Sequence, residues 1–219
     1  MNKKQFVKYY SSVLDFQEIF LATLYYFVGI GLSDYLGFKL DWSIVWGGWI
    51  LILSLLLCGD YLKLYFSLLK RKRFKSYIVN GVNVNLEDCD FPLFLRSLLF
   101  ITVACLSVYL IAMVRLDKSV FSILIAGVSF IIMYVYVVPP FQIVYSGYGE
   151  LLYAFLVSTL FPSIAFVLQT GEIHRFLIFL SFPLLFLMLS YLLSRGNVTY
   201  KADLKSGRLT AVMLLGNEK

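Results

Sequence analysis

The sequence predicts an all-α integral membrane protein with about six transmembrane helices in a single membrane domain, residues 1–219. The first observation is composition, because 60% of the residues are apolar and only 15% are charged, whereas soluble domains are about half apolar and a quarter charged. The second is a series of apolar runs of about 20 residues, the length that a helix needs to cross a bilayer. The third is a one-sided distribution of basic residues. Together these observations exclude an ordinary soluble domain.

The apolar runs define the expected helices in chain order. They are too long and too uniformly apolar for the alternating strands of a membrane barrel. The first run follows three lysines but lacks a small-residue cleavage site, so it is expected to be a retained helix and not a signal peptide. The spans are expected near 16–37, 43–66, 95–114, 119–138, 151–168 and 176–194, with a loop at 67–94 and a tail at 195–219.

The basic residues predict the orientation. If the N-terminus is cytoplasmic, all Lys and Arg residues except Lys39, Arg115, Lys118 and Arg175 lie on the cytoplasmic side. This bias predicts that both termini, the loop 67–94 and the tail are cytoplasmic and that the number of spans in the cell membrane is even. The net charge of +6 is then explained by topology and by anionic lipid headgroups, so no nucleic-acid partner is predicted.

A candidate charged site lies at the cytoplasmic end of the second run. Asp60 lies there, and Lys63 and Ser67 lie on the same helical face at i+3 and i+7. A carboxylate there suits Mg²⁺, which needs one or two protein carboxylates when substrate phosphates complete its coordination; the alternative is an interfacial Asp–Lys pair that ends a helix. The basic run 70–75, which includes Arg73, either clamps a diphosphate or anchors the loop on lipid headgroups.

The tail and the fourth connection contain further candidates. Arg195, Thr199 and Asp203 are spaced by four and share a helix face, and Gly207 is expected to end that helix. In the connection, Tyr145 either hydrogen-bonds a diphosphate or lies at the interface. Glu150 opens the fifth run, where its charge either favours the helix N-terminus or contacts substrate.

Two sequence blocks resemble a known family. The pattern Asp203-x-x-x-Gly207-x-x-Thr210 is similar to the end of the second aspartate-rich motif of the UbiA-type membrane prenyltransferases. The block Pro139-Pro140-Phe141-x-x-x-Tyr145-x-Gly147-x-Gly149-Glu150, followed by Gln169-Thr170-Gly171, resembles the dihydroxynaphthoate polyprenyltransferases of the menaquinone branch. The resemblance covers residues 139–216. Over residues 1–138 it depends on the span spacing, on Asp60-Tyr61 and on the basic stretch after it.

The resemblance implies a UbiA-like helical bundle that lacks the usual last three spans. Either another copy, in a homo-oligomer, or a different subunit would then complete the bundle. It implies transfer of a polyprenyl group from its diphosphate to an aromatic acceptor in menaquinone-like quinone biosynthesis. Asp60 and Asp203 are implied as catalytic residues and as ligands of Mg²⁺. The residues implied to bind the diphosphate are Lys63, Arg73, Tyr145, Arg195, Lys205 and Arg208.

The motifs depart from the family at several positions. Gly59, Lys63 and Ser67 stand where the first motif has Asn and its later aspartates, and Arg195 and Thr199 replace the Asn and first metal-binding Asp of the second motif. The alternative hypothesis is therefore a truncated, non-catalytic relative that binds an isoprenoid or quinone, or that serves as a structural membrane subunit.

Overall fold

The computed structural model describes residues 16–70, 76–79, 82–85, 120–206 and 209–214, together with the single residues 99, 102, 103, 106 and 216. Most of the described chain is helical. The helices are α1 (Phe16–Tyr35), α2 (Trp42–Lys70), α3 (Val120–Val137), α4 (Gly149–Phe155), α5 (Phe161–Thr170), α6 (Arg175–Ser206) and α7 (Ala211–Leu214), with a 3-10 turn at Ile143–Tyr145 and a π-helical turn at Leu156–Leu160. A short antiparallel hairpin, β1 (Ser76–Val79) and β2 (Val82–Asn85), falls within the loop predicted at 67–94.

The all-α membrane class is confirmed. In the described part, four helical segments are long and apolar enough to cross a membrane, Phe16–Tyr35, Trp42–Asp60, Gly149–Thr170 and Arg175–Tyr200, and a shorter apolar helix spans Phe121–Val137. The span predicted near 95–114 lies outside the described residues apart from Leu99, Thr102, Val103 and Leu106. The total of six spans and the orientation stay predictions.

The last long helix extends beyond its predicted span. Helix α6 continues from Arg175 to Ser206, so residues 195–206, which the sequence assigned to the tail, are helical. Gly207, the glycine expected to end this helix, lies outside the described residues. The candidate residues Arg195, Thr199 and Asp203 therefore lie on one continuous helix.

The continuous segment α4–α5 is the centre of the bundle. Within the 18-residue apolar stretch of this segment, 78% of the residues are buried inside the protein. The corresponding share in α6 is 17%, so α6 exposes most of its surface. The most extensive helix contact joins α1 to α5. It is close because Gly29 has no side chain: a Cβ there would lie 2.3 Å from the carbonyl oxygen of Pro162 and 2.8 Å from Cβ of Ala165. Small residues commonly allow such close helix approach in membranes.

A π-helical turn interrupts the central segment immediately before Pro162. Proline has no backbone N–H, so the carbonyl of Ser158 cannot receive its usual i+4 hydrogen bond. The backbone adapts by widening over Leu156–Leu160, and the N–H of Phe161 donates to the carbonyl of Leu156, five residues earlier. A π-helical turn of this kind is a common way to accommodate a local disruption within a helix.

Polar contacts fix α1 and α2 against each other and against α5. The buried Tyr26 hydroxyl donates to the carbonyl of Val45 at 2.7 Å. At one end of the bundle, the side-chain amide of Gln169 bonds both backbone groups of Asp41, accepting at 3.0 Å and donating at 3.2 Å. These bonds hold the α1–α2 connection against the end of α5 and orient the helices that carry the candidate site.

Candidate functional site

Charged and aromatic side chains from five helices meet at one place in the bundle. We call this group the Lys63 cluster. Lys63 and Asp60 come from α2, Glu18 from the first turn of α1 and Arg195 from α6. Tyr136 of α3 and Tyr153 of α4 complete it. The members are Glu18, Asp60, Lys63, Tyr136, Tyr153 and Arg195.

Two ion pairs hold the charged members of the cluster. The Lys63 ammonium donates to Oδ1 of Asp60 at 3.0 Å, and the Arg195 guanidinium donates to Oε1 of Glu18. The two carboxylate side chains are each 14% exposed, whereas Lys63 is 25% and Arg195 35% exposed. The Lys63 and Arg195 side chains as a whole are thus more exposed than the side chains of their carboxylate partners.

Two tyrosine rings lie beside the ammonium of Lys63. Its Nζ lies 5.2 Å from the ring centroid of Tyr136 and 5.2 Å from that of Tyr153. The two rings stack on each other, with centroids 5.7 Å apart, and both side chains are almost fully buried. Ring faces attract cations within about 6 Å, so the aromatic pair positions the ammonium independently of Asp60.

The environment keeps Lys63 protonated. Burial by itself would lower the pKa of Lys63, but attraction to the Asp60 carboxylate, with further contributions from Tyr136 and Glu18, outweighs it. The net effect raises the pKa above its ordinary value. Lys63 is therefore a permanent cation at physiological pH.

The structure brings together three of the residues singled out in the sequence, Asp60, Lys63 and Arg195. Tyr145 lies in the 3-10 turn between α3 and α4, where it packs against the apolar core. Asp203 and Lys205 lie in the last turns of α6, and only their backbone is described; Asp203 is about 12 Å along the axis from Arg195, at 1.5 Å per residue. Arg73 and Arg208 lie outside the described residues.

Sequence reasoning missed three members of the cluster. Glu18 lies near one end of the first apolar run, where an interfacial charge is the ordinary expectation, and Tyr136 and Tyr153 are indistinguishable by sequence from the other aromatic residues of a membrane protein. A weak signal existed for Glu18, because a carboxylate near the end of an apolar run is costly unless it is paired. No comparable signal marked the tyrosines.

The blocks that carry the family resemblance contact each other. Leu209 forms a bridge with Ser146, and Leu214 packs over Gly147, whose φ of +75° suits glycine. The Glu150 carboxylate, which is almost fully buried, accepts a hydrogen bond from the backbone N–H of Ala211 at 3.2 Å. Glu150 therefore stabilises the N-terminus of α7, in addition to opening α4 as the sequence suggested.

Replacing Glu150 with alanine is expected to release the segment 209–214 from the bundle. The variant loses a charge-assisted bond worth about 1.5–3 kcal/mol, and α7 is too short to persist alone. Hydrogen exchange of the Ala211–Leu214 amides should accelerate in Glu150→Ala and stay unchanged in the control Glu172→Ala, which alters an exposed glutamate. Equal protection in both variants would contradict this role.

Buried polar atoms without a partner mark the same region. Among the residues that the structure describes, Nε2 of Gln142 and Oγ1 of Thr210 have no hydrogen-bond partner, although the two residues are 8% and 1% exposed. Gln142 also has a φ of 42°, a region that residues other than glycine seldom adopt. Unpaired buried polar atoms and strained backbone angles are commonly found at functional sites.

The described surroundings of Asp60 do not suit Mg²⁺. Among the side chains that the structure describes, no three His, Cys, Asp or Glu residues are grouped so that they could share a metal, so a Mg²⁺ ion here would need substrate phosphates to complete its coordination. A divalent ion bound to Asp60 would also meet the Lys63 ammonium; at about 4 Å and an effective dielectric of about 20 the repulsion is about 8 kcal/mol, twice the value for unit charges. The Mg²⁺ site between Asp60 and Asp203 therefore stays a prediction, and its Asp60 half is disfavoured.

Comparison with known proteins gives one informative similarity. The chain is 33% identical over 95 residues to the 1,4-dihydroxy-2-naphthoate octaprenyltransferase of Bacillus subtilis (strain 168), a stretch that covers 43% of this chain and 30% of the relative. The match therefore spans less than a third of the relative's length. No family model matches the chain, and no solved structure matches it.

Proposed function

We propose that this membrane protein binds a polyprenyl diphosphate and transfers the polyprenyl group to an aromatic acceptor of the dihydroxynaphthoate class. The observation that carries this proposal is the Lys63 cluster, which places two cations and two aromatic rings at one end of an apolar helical bundle. The similarity to an octaprenyltransferase supports the same reaction.

The cluster is suited to the charges that develop in such a transfer. The bond between the allylic carbon and the diphosphate oxygen breaks, and the diphosphate leaves with the electron pair. Lys63 and Arg195 would stabilise the leaving diphosphate, Lys as a compact charge and Arg through its planar donors. The allylic cation is then attacked by a carbon of the aromatic acceptor, which releases a proton and regains aromaticity.

The apolar bundle supplies the remaining conditions. Exclusion of water prevents capture of the allylic cation as an alcohol. The polyprenyl tail matches the hydrocarbon environment of the helices, so the substrate can remain in the bilayer while its charged end reaches the cluster.

The reaction is tested directly in lipid vesicles. The full chain is reconstituted with a polyprenyl diphosphate, dihydroxynaphthoate and Mg²⁺, and prenylated product is measured by mass spectrometry. Product above the protein-free background supports the proposal. Its complete absence, with both substrates intact, would contradict the transferase function.

Replacing Asp203 with asparagine is expected to reduce product formation to background. By the resemblance, Asp203 holds the Mg²⁺ that offsets the diphosphate charge, and asparagine removes the negative charge but keeps the size of the side chain. The measurement is the initial rate of product formation, compared between the wild type and Asp203→Asn. The control is Asp34→Asn, which makes the same chemical change at an exposed aspartate. An unchanged rate in Asp203→Asn would show that this carboxylate has no part in the reaction.

A non-catalytic function is the second candidate, because Lys63 pairs with the carboxylate that the first motif would devote to metal. In that case the protein binds an isoprenoid or a quinone without converting it, or serves as a structural subunit. Binding of a polyprenyl diphosphate without turnover would favour this candidate. Turnover would exclude it.

A further inference from the structure

The described carboxylates of the Lys63 cluster are both engaged by cations. Asp60 pairs with Lys63 at 3.0 Å and Glu18 pairs with Arg195. A Mg²⁺ ion binds carboxylate oxygen at about 2.0–2.1 Å and demands near-octahedral geometry. To bind Asp60 it would have to displace the ammonium or accept it as an immediate neighbour of like charge.

Displacing Lys63 would break several contacts together. The ammonium would leave the Asp60 carboxylate and the faces of both tyrosines, which lie at equal distances from it. The rings are buried, stacked and fixed within the apolar core, so they cannot follow the moving side chain. Lys63 is therefore a preorganised positive charge at the position that the family resemblance assigns to a metal-binding aspartate.

We propose that the Lys63 ammonium serves as a built-in counter-ion, so that this site binds an organic diphosphate directly through Lys63 and Arg195 instead of through a divalent ion at Asp60. This inference depends on the proposed function, because it concerns the diphosphate end of the same substrate. It goes further by specifying which positive charges bind the diphosphate and by predicting that the diphosphate still binds without a divalent metal ion.

The partial exposure of the two cationic side chains supports access by a diphosphate. The Lys63 side chain is 25% exposed and the Arg195 side chain is 35% exposed, whereas the side chains of Asp60 and Glu18 are each 14% exposed. A Lys ammonium has three donor positions, and the bond to Oδ1 of Asp60 uses one of them. The planar N–H fork of an Arg guanidinium suits the oxygens of a diphosphate. An arriving diphosphate can share these cations while Asp60 and Glu18 keep them oriented.

The test measures binding, not catalysis. The full chain in lipid nanodiscs is titrated with a fluorescent polyprenyl diphosphate, once in EDTA and once in Mg²⁺. The wild type is expected to bind in EDTA with an affinity within about tenfold of that in Mg²⁺, since one tenfold step equals only about 1.4 kcal/mol. The comparison needs no variant, so it does not depend on whether a substituted protein folds.

Variants of Lys63 sharpen the result. Lys63→Gln should weaken binding about 10- to 100-fold in both conditions, the range for loss of a charge-assisted hydrogen bond. Lys63→Asp places two carboxylates at i and i+3 and should abolish binding in EDTA but restore it in Mg²⁺. The matched control is Lys39→Gln, an exposed lysine in the connection between α1 and α2, which should bind as the wild type does.

The outcomes separate this inference from the proposed function. If the wild type binds only in Mg²⁺ and Lys63→Gln binds equally well, the built-in counter-ion is overturned while the proposed function stands. If the wild type binds the diphosphate in neither condition, the proposed function itself fails. Binding in EDTA that Lys63→Gln weakens supports both.

Discussion

Substitution of Gly29 by leucine is expected to destabilise the helical bundle by about 3 kcal/mol, at the upper end of the range for overpacking. The added Cβ alone would come within 2.3 Å of the Pro162 carbonyl oxygen, and that oxygen is backbone, so it cannot rotate away. The π-helical turn next to Pro162 would have to move with it. The thermal unfolding midpoint in detergent, measured by intrinsic fluorescence, should fall clearly.

The matched control for this prediction is Gly31→Leu. It makes the same chemical change two residues along the same helix, and a Cβ at Gly31 meets nothing within 4 Å. Its midpoint should equal that of the wild type or exceed it slightly, because leucine favours helix more than glycine does. A similar loss in both variants would contradict the close packing of α1 on α5.

Asp60→Asn is expected to cost about 2–4 kcal/mol of stability, somewhat below the range for breaking a fully buried ion pair. The change leaves the Lys63 ammonium partly buried without its nearest carboxylate. Because the pKa of Lys63 is raised above its unfolded value, this contribution is present below about pH 10 and is lost only at higher pH. The loss in Asp60→Asn should therefore be the same at pH 6 and pH 8.

A double-mutant cycle separates the ion pair from other effects of Asp60. Lys63→Met removes the cation but keeps a long apolar side chain, and the double variant Asp60→Asn/Lys63→Met removes both charges. Contacting residues commonly couple by about 0.5–3 kcal/mol, so the double variant should lose less stability than the two single variants together. Strict additivity would show that the Lys63–Asp60 contact contributes nothing.

The helices could be predicted from sequence because their cause is local. An apolar run in a bilayer must satisfy its own backbone hydrogen bonds, and a helix does so within the run. The runs near 16–37 and 43–66 accordingly became α1 and α2 with small shifts at their ends. The extension of α6 to Ser206 has a different local signal, because Arg195, Thr199 and Asp203 are spaced by four and fit one helical face.

The cluster could be predicted only in part. Asp60 and Lys63 are i and i+3 on one helix, so their spacing predicts that they can form an ion pair. The pairing of Glu18 with Arg195 joins residues 177 positions apart, and no local pattern determines which charge of a distant helix a carboxylate will meet. The choice of Tyr136 and Tyr153 among 16 tyrosines depends equally on helix packing.

The sequence by itself determined the membrane class and the carboxylate and lysine at the end of α2. It did so because bilayer hydrophobicity and helix periodicity act over short stretches of chain. Only the tertiary structure decided that the Lys63 ammonium lies 5.2 Å from each of two stacked rings, and that Glu18 and Arg195 pair beside it. Those contacts depend on how closely separate helices approach, which small residues such as Gly29 permit at the α1–α5 contact and which apolar runs alone do not specify.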